Sequence, residues 1–239
     1  LAASGVVSPL VSLVGDARYD SSLNNDLLAT LLNISTHDAA DDVLSSNETL
    51  PVLISSIENS SAAMKLQDFD DDAENDAESD DEGEEDYNAT AADAALICID
   101  LGLRAVRNMC SEEYNAVAVC KKEPLGVIVD ALTVSSNKIS KIKRKINLHA
   151  NVTQSASMVL ENVATFADEE RCSLMVQMGV VEHMVTVLGK GTSDAKSAAA
   201  DTLVSLMQIN PNSIKDLLEK GIGGSMLVSM IELRLAEIG

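Results

Sequence analysis

The chain has 239 residues, 46% hydrophobic but only 2% aromatic, with no Trp and a formal net charge of −21. A core of Leu, Val, Ile, Ala and Met argues against a β-sandwich and for tightly packed helices. The acidic balance disfavours nucleic acid and anionic membrane surfaces, which are held through Lys and Arg.

Four cysteines, Cys98, Cys110, Cys120 and Cys172, show no C-x-x-C spacing and no neighbouring His pattern. They read as small buried hydrophobes of a reducing compartment. Neither a signal peptide nor a run of ~18 apolar residues is present, so no membrane insertion is expected. The expected location is cytoplasmic, with the nucleus also open. Leu1 already lies inside a repeat, so the chain is expected to be a fragment of a longer array or a processed form.

In chain order, Gly5-Val6-Val7-Ser8-Pro9-Leu10-Val11-Ser12-Leu13-Val14 reads as a glycine followed by an apolar helix. A second helix is predicted over about 23–35, containing Thr30-Leu31-Leu32-Asn33-Ile34, and a short linking helix over 37–44. The unit restarts at Glu48-Thr49-Leu50-Pro51-Val52-Leu53-Ile54-Ser55-Ser56-Ile57, a step of 43 residues from Gly5. After Ile57 the pattern breaks. Residues 66–92 are expected to be a disordered acidic insertion. Asp70, Asp71, Asp72, Asp80, Asp81, Glu82, Glu84 and Glu85 repel one another, and few apolar side chains offset the chain entropy.

Helical pattern resumes near Ala91, and Leu101-Gly102-Leu103-Arg104-Ala105-Val106-Arg107-Asn108-Met109 repeats the earlier motif. A short helix is predicted from Glu113 to Lys121, then a restart from Glu123 to Leu132. That restart comes 75 residues after Glu48, a normal module plus an insert of about 30. A second insertion, basic, is placed at 136–148 with Lys138, Lys141, Lys143, Arg144 and Lys145. The next helix carries Met158-Val159-Leu160-Glu161-Asn162-Val163, and Asp168 to Gln177 leads into Gly179, 56 residues after Glu123. Gly179 opens the clearest unit. An apolar helix is followed by one over 195–207 with Ala198, Ala199, Leu203 and Leu206 at helical spacing, then a short helix over 211–220. The glycine recurs at Gly221, 42 residues on. Both long steps fall between the same two helices of their modules, so the acidic and basic loops are expected on one edge of the array.

These restarts resemble armadillo repeats, whose pattern is a glycine before an apolar second helix and an Ala-Leu-x-Asn-Leu core in the third. Here that core reads Leu31-Leu32-Asn33-Ile34, Ala105-Val106-Arg107-Asn108-Met109, Leu160-Glu161-Asn162-Val163 and Leu203-Val204-Ser205-Leu206. Ser205 replaces Asn in the last, and two of five restarts lack glycine. The resemblance covers nearly all of 1–239 outside the inserts. It implies an all-α fold: an armadillo/HEAT-like right-handed α-solenoid of about four to five repeats with two loop insertions, forming a single domain.

In that family the third helices line a concave groove, where Asn side chains can pair with the backbone of an extended peptide, an amide offering both donor and acceptor. The resemblance therefore implies a partner-binding groove at Asn33, Arg104, Asn108, Met158, Asn162, Asp201 and Ser205. The alternative is that each Asn bonds the backbone of its own repeat, since buried polar groups need partners in any case. Nuclear-import adaptors of this fold place a Trp four residues before the Asn. Ala29, Arg104, Met158 and Asp201 stand there instead, which argues against basic-signal binding of that kind.

No catalytic constellation is found. Asp68-x-Asp70-x-Asp72 begins like a calcium loop, but Ala73 replaces the needed glycine and Ser79 the twelfth-position Glu. Gly189-Lys190-Gly191-Thr192 lacks the upstream glycine and preceding strand of a phosphate loop. His37, His149 and His183 lie far apart in sequence, in different modules, and none has a metal-like or triad-like companion in the sequence. Neither metal nor cofactor is expected.

The first expectation is a non-enzymatic scaffold or adaptor that holds a partner protein's segment, basic residues suiting the acidic surface. The alternative rests on resemblance to the armadillo-only exchange factor and chaperone family called SmgGDS. That resemblance implies regulation of small GTPases with polybasic tails. Oligomeric state is left open.

Overall fold

A computed structural model describes residues 5–14, 21–37, 44, 49–71, 91–136, 143–212 and 214–215. These residues are helical almost throughout, with no strand among them. The helices are α1 (Val7–Val14), α2 (Ser21–Ser35), α3 (Thr49–Asp71), α4 (Ala91–Met109), α5 (Glu113–Val119), α6 (Lys122–Ser136), α7 (Lys143–Thr165), α8 (Glu169–Gln177), α9 (Val180–Lys190) and α10 (Ser193–Ile209).

Local chemistry sets several of these boundaries. Asp168 caps α8 by accepting the Arg171 backbone N–H at 2.9 Å, with Glu169 and Glu170 in the first turn. The carboxylates offset unsatisfied N–H groups and the positive end of the helix dipole. Thr192 caps α10, accepting from Ala195 N–H at 3.3 Å. The two repeat-opening glycines share one conformation. Gly5 has φ 71° and Gly179 φ 79°, both left-handed, where an L side chain is strained.

The helices pack in two rows. α1, α3, α6 and α9 contact one another in succession, as do α2, α4, α7 and α10. The pairs α1–α2, α3–α4, α6–α7 and α9–α10 join the rows. α5 lies against α6 and α7, and α8 against α9 and α10. Each helix buries one stripe between its neighbours. On α4 the stripe is Leu96, Ile99, Leu103 and Val106, and it meets Leu53 and Ile57 of α3 and Leu28 and Leu31 of α2 in one continuous core. Phe166 only borders that core, and Tyr114 is exposed, so aliphatic side chains fill it.

Two boundaries differ from the sequence reading. α3 does not stop near Ile57 but runs to Asp71, so the acidic insertion placed at 66–92 begins within a helix. The stripe continues as Ile57, Ser61 and Met64, all buried at helical spacing. The small hydroxyl at Ser61 hid it from a hydropathy reading. Likewise the basic insertion placed at 136–148 overlaps α7, which starts at Lys143, and the last residue of α6. Leu148 and Val152 pack into the core and hold that first part of α7. Residues 72–90 and 137–142 lie outside the described residues, as do the Gly221 unit and the end of the helix expected over 211–220. Of the helix expected over 37–44, only His37 and Leu44 are described; Leu44 is buried in the core.

Candidate functional site

The row α2–α4–α7–α10 carries every expected groove residue. The last turn of α4 shows how its members are fixed. A helix leaves its last four carbonyls without intrahelical partners. On α4 the Val106 carbonyl accepts from Cys110 N–H, and the Asn108 carbonyl from Ser111 through both N–H and hydroxyl. The Met109 carbonyl accepts from Glu112 N–H and from the buried Asn115 amide at 3.0 Å. The Arg107 carbonyl accepts from the Asn162 side chain of α7, also at 3.0 Å.

The motif asparagines thus reach backwards, from each helix to the one before it. Asn108 Nδ2 donates to Ser35 Oγ on α2 at 3.0 Å, while Ser35 donates to the Leu32 carbonyl. Neither bond lies within the donor's own repeat, so the helix-to-loop alternative is not what these two amides do. Asn33, on the first helix of the row, is exposed. Ser205, standing where the fourth Asn would be, is half-buried on α10.

Arg104, Met158 and Asp201 each lie four residues before their motif position, so each shares a helix face with it. Arg104 is exposed, and Met158 and Asp201 are half-buried. Two residues not picked out from the sequence join them: Arg107 and Glu161, each directly preceding a motif Asn. Glu161 sits on α7 between Asp201 of α10 and Arg107 of α4. Its carboxyl pKa is raised, first by burial and then by the Asp201 charge, with Arg107 opposing. One turn or more back, Asp100 accepts from Ser155 Oγ of α7 at 2.6 Å and lies 3.9 Å from Arg104 Nη1. Burial raises the Asp100 carboxyl, while the Ser155 bond and Arg104 pull it down. Farther along, Gln154 donates to Asp194 and accepts from Thr192, both at 3.1 Å, joining α7 to α10.

The face is therefore polar and polarised across the row. Arg104 and Arg107 stand on α4, Glu161 on α7 and Asp201 on α10. Neither Glu161 nor Asp201 is closed in an ion pair among the described residues. Such a face can present opposite charges to a chain laid across the helices, with exposed amides and hydroxyls between them.

Of the acidic residues picked out from the sequence, Asp70 and Asp71 belong to the last turn of α3. Asp72, Asp80, Asp81, Glu82, Glu84 and Glu85 lie outside the described residues. The four cysteines are buried and unpaired. Burial pushes the Cys110 thiol up to about 12 and Cys120 to about 11, which keeps both neutral. Among the described residues, no group of three or more His, Cys, Asp or Glu side chains is gathered as metal ligands. No single described helix is long and apolar enough to cross a membrane.

No family model matches the sequence, and no curated protein matches it. The crystal structure of an engineered protein is similar over 98% of this chain and 96% of its own, at 15% identity and a TM-score of 0.43. That likeness is too slight to carry an argument about fold.

Proposed function

We propose that the chain is a non-enzymatic scaffold, an armadillo-type right-handed α-solenoid that holds an extended segment of a partner protein across α2, α4, α7 and α10. The observation that carries this reading is the charge sequence Arg107, Glu161 and Asp201 on three successive helices. Two carboxylates brought together in a half-buried position repel each other, and a Lys or Arg supplied by a partner would relieve that repulsion. The partner segment accordingly carries a cation opposite Glu161 and Asp201 and an acidic or neutral group opposite Arg104 and Arg107. Asn108 and Asn162 each give one amide hydrogen to the neighbouring helix. Their carbonyl oxygens, and the whole Asn33 amide, are what a peptide backbone could use.

The formal charge of −21 adds long-range attraction for basic segments. Small GTPases with polybasic tails are one partner class that fits this chemistry. The test is binding of GTPase tail peptides to the full chain at graded salt, with nucleotide release followed in parallel on the intact GTPases. The reading predicts binding that weakens with salt and is lost in the Glu161→Lys, Asp201→Lys double variant. Binding indifferent to both salt and that variant would contradict it. Nucleotide release separates an exchange factor from a passive holder.

A further inference from the structure

A second surface lies on the other row. A cleft of about 1120 Å³ opens between α3 and α6 over α5. Its wall runs along α3 from Thr49 to Lys65. At 1.5 Å per residue that is roughly 24 Å, the reach of about seven residues of extended chain.

Two features of this cleft are not used by the packing. Tyr114 stands at its rim and is 73% exposed, although the chain has only five aromatic residues. Exposed rings on rigid elements are the residue type enriched in protein interfaces. Next, the ion pair of Lys65 Nζ with Asp130 Oδ2, at 2.8 Å, ties α3 to α6. It leaves Glu58 and Glu123 in the lining with Lys121 as the remaining cation, an excess of negative charge.

We infer that this cleft is a docking site for a short extended segment of a partner protein carrying Arg or Lys. The cation sits by Glu58 and Glu123, the segment's backbone runs along α3, and Tyr114 packs on its flank. The site is separate from the α2–α4–α7–α10 face and stands or falls without it.

Phage-displayed random heptapeptides selected on the immobilised full chain supply the probe. The expected result is enrichment of peptides containing Arg or Lys. Their affinity should fall at least tenfold on Tyr114→Ala, and likewise on the Glu58→Gln, Glu123→Gln pair, and should not change on Glu161→Lys. All these side chains are exposed or half-buried, so the variants keep the fold. Failure to enrich any peptide would overturn the inference, as would selected peptides that bind the cleft variants as tightly as the parent chain. Peptides lost only on Glu161→Lys would also overturn it, while supporting the face on the other row.

Discussion

The Asn162 side chain donates to the Arg107 carbonyl at 3.0 Å, closing the C-terminal turn of α4 from the next helix of the row. A residue expected to meet a partner therefore also ties α7 to α4. Asn162→Ala leaves that carbonyl to water, and an ordinary net hydrogen bond is worth ~0.5–1.5 kcal/mol. The contact is exposed, so a loss of about 0.5–1 kcal/mol is expected. Asn108→Ala should cost a similar amount through Ser35. Asn33→Ala should change stability by no more than ~0.5 kcal/mol, as at an ordinary surface site. Urea unfolding of the three variants checks the order; equal losses at all three sites would show that the cross-helix bonds contribute nothing.

Glycine positions give a second test with opposite signs. Gly179 at φ 79° accepts Ala only with strain, about 1–2 kcal/mol. Gly189 lies in α9 with open space around a built Cβ, so Gly189→Ala should stabilise by roughly 0.5–1 kcal/mol through helix propensity. At Gly102 a Cβ would come 2.8 Å from Ile57 Cγ1, where α4 crosses α3. Gly102→Ala should therefore cost about 1–3 kcal/mol by overpacking. Thermal or urea unfolding reads all three.

The raised Glu161 carboxyl makes a pH prediction. Because its folded pKa lies above the ordinary value, the native state holds the proton more tightly than the unfolded chain. This residue's contribution therefore falls as pH rises from the ordinary carboxyl value through the raised one, and is unfavourable above it. Glu161→Gln should then raise the urea midpoint at pH 7, with the gain shrinking toward pH 4. A gain independent of pH would mean that burial and Asp201 do not act on this carboxylate.

Much of the helical order was legible because its signals are local. Gly5 and Gly179 recur before apolar helices and prove to share a left-handed φ. The stripes on α4, α9 and α10 repeat at helical spacing. What escaped was either chemically muted or non-local. Ser61 concealed the continuation of α3, since a buried hydroxyl does not register as apolar. Glu161 and Arg107 gain their significance only from neighbours 40 and 54 residues away, Asp201 and Glu161 in turn. Spacing within one helix cannot supply that register. The direction of the asparagine bonds, from α4 to α2 and from α7 to α4, was hidden for the same reason.

The most direct test of the central claim is photo-crosslinking from the proposed face. A benzophenone side chain replaces Met158 on α7 in one variant and Thr186, exposed on α9 in the other row, in a second. Each is irradiated with a bound basic partner peptide whose affinity is lowered by Glu161→Lys. Adducts from position 158 and none from 186 are predicted. Adducts from 186 with none from 158 would contradict the account and remove the α2–α4–α7–α10 face as the place where the partner is held.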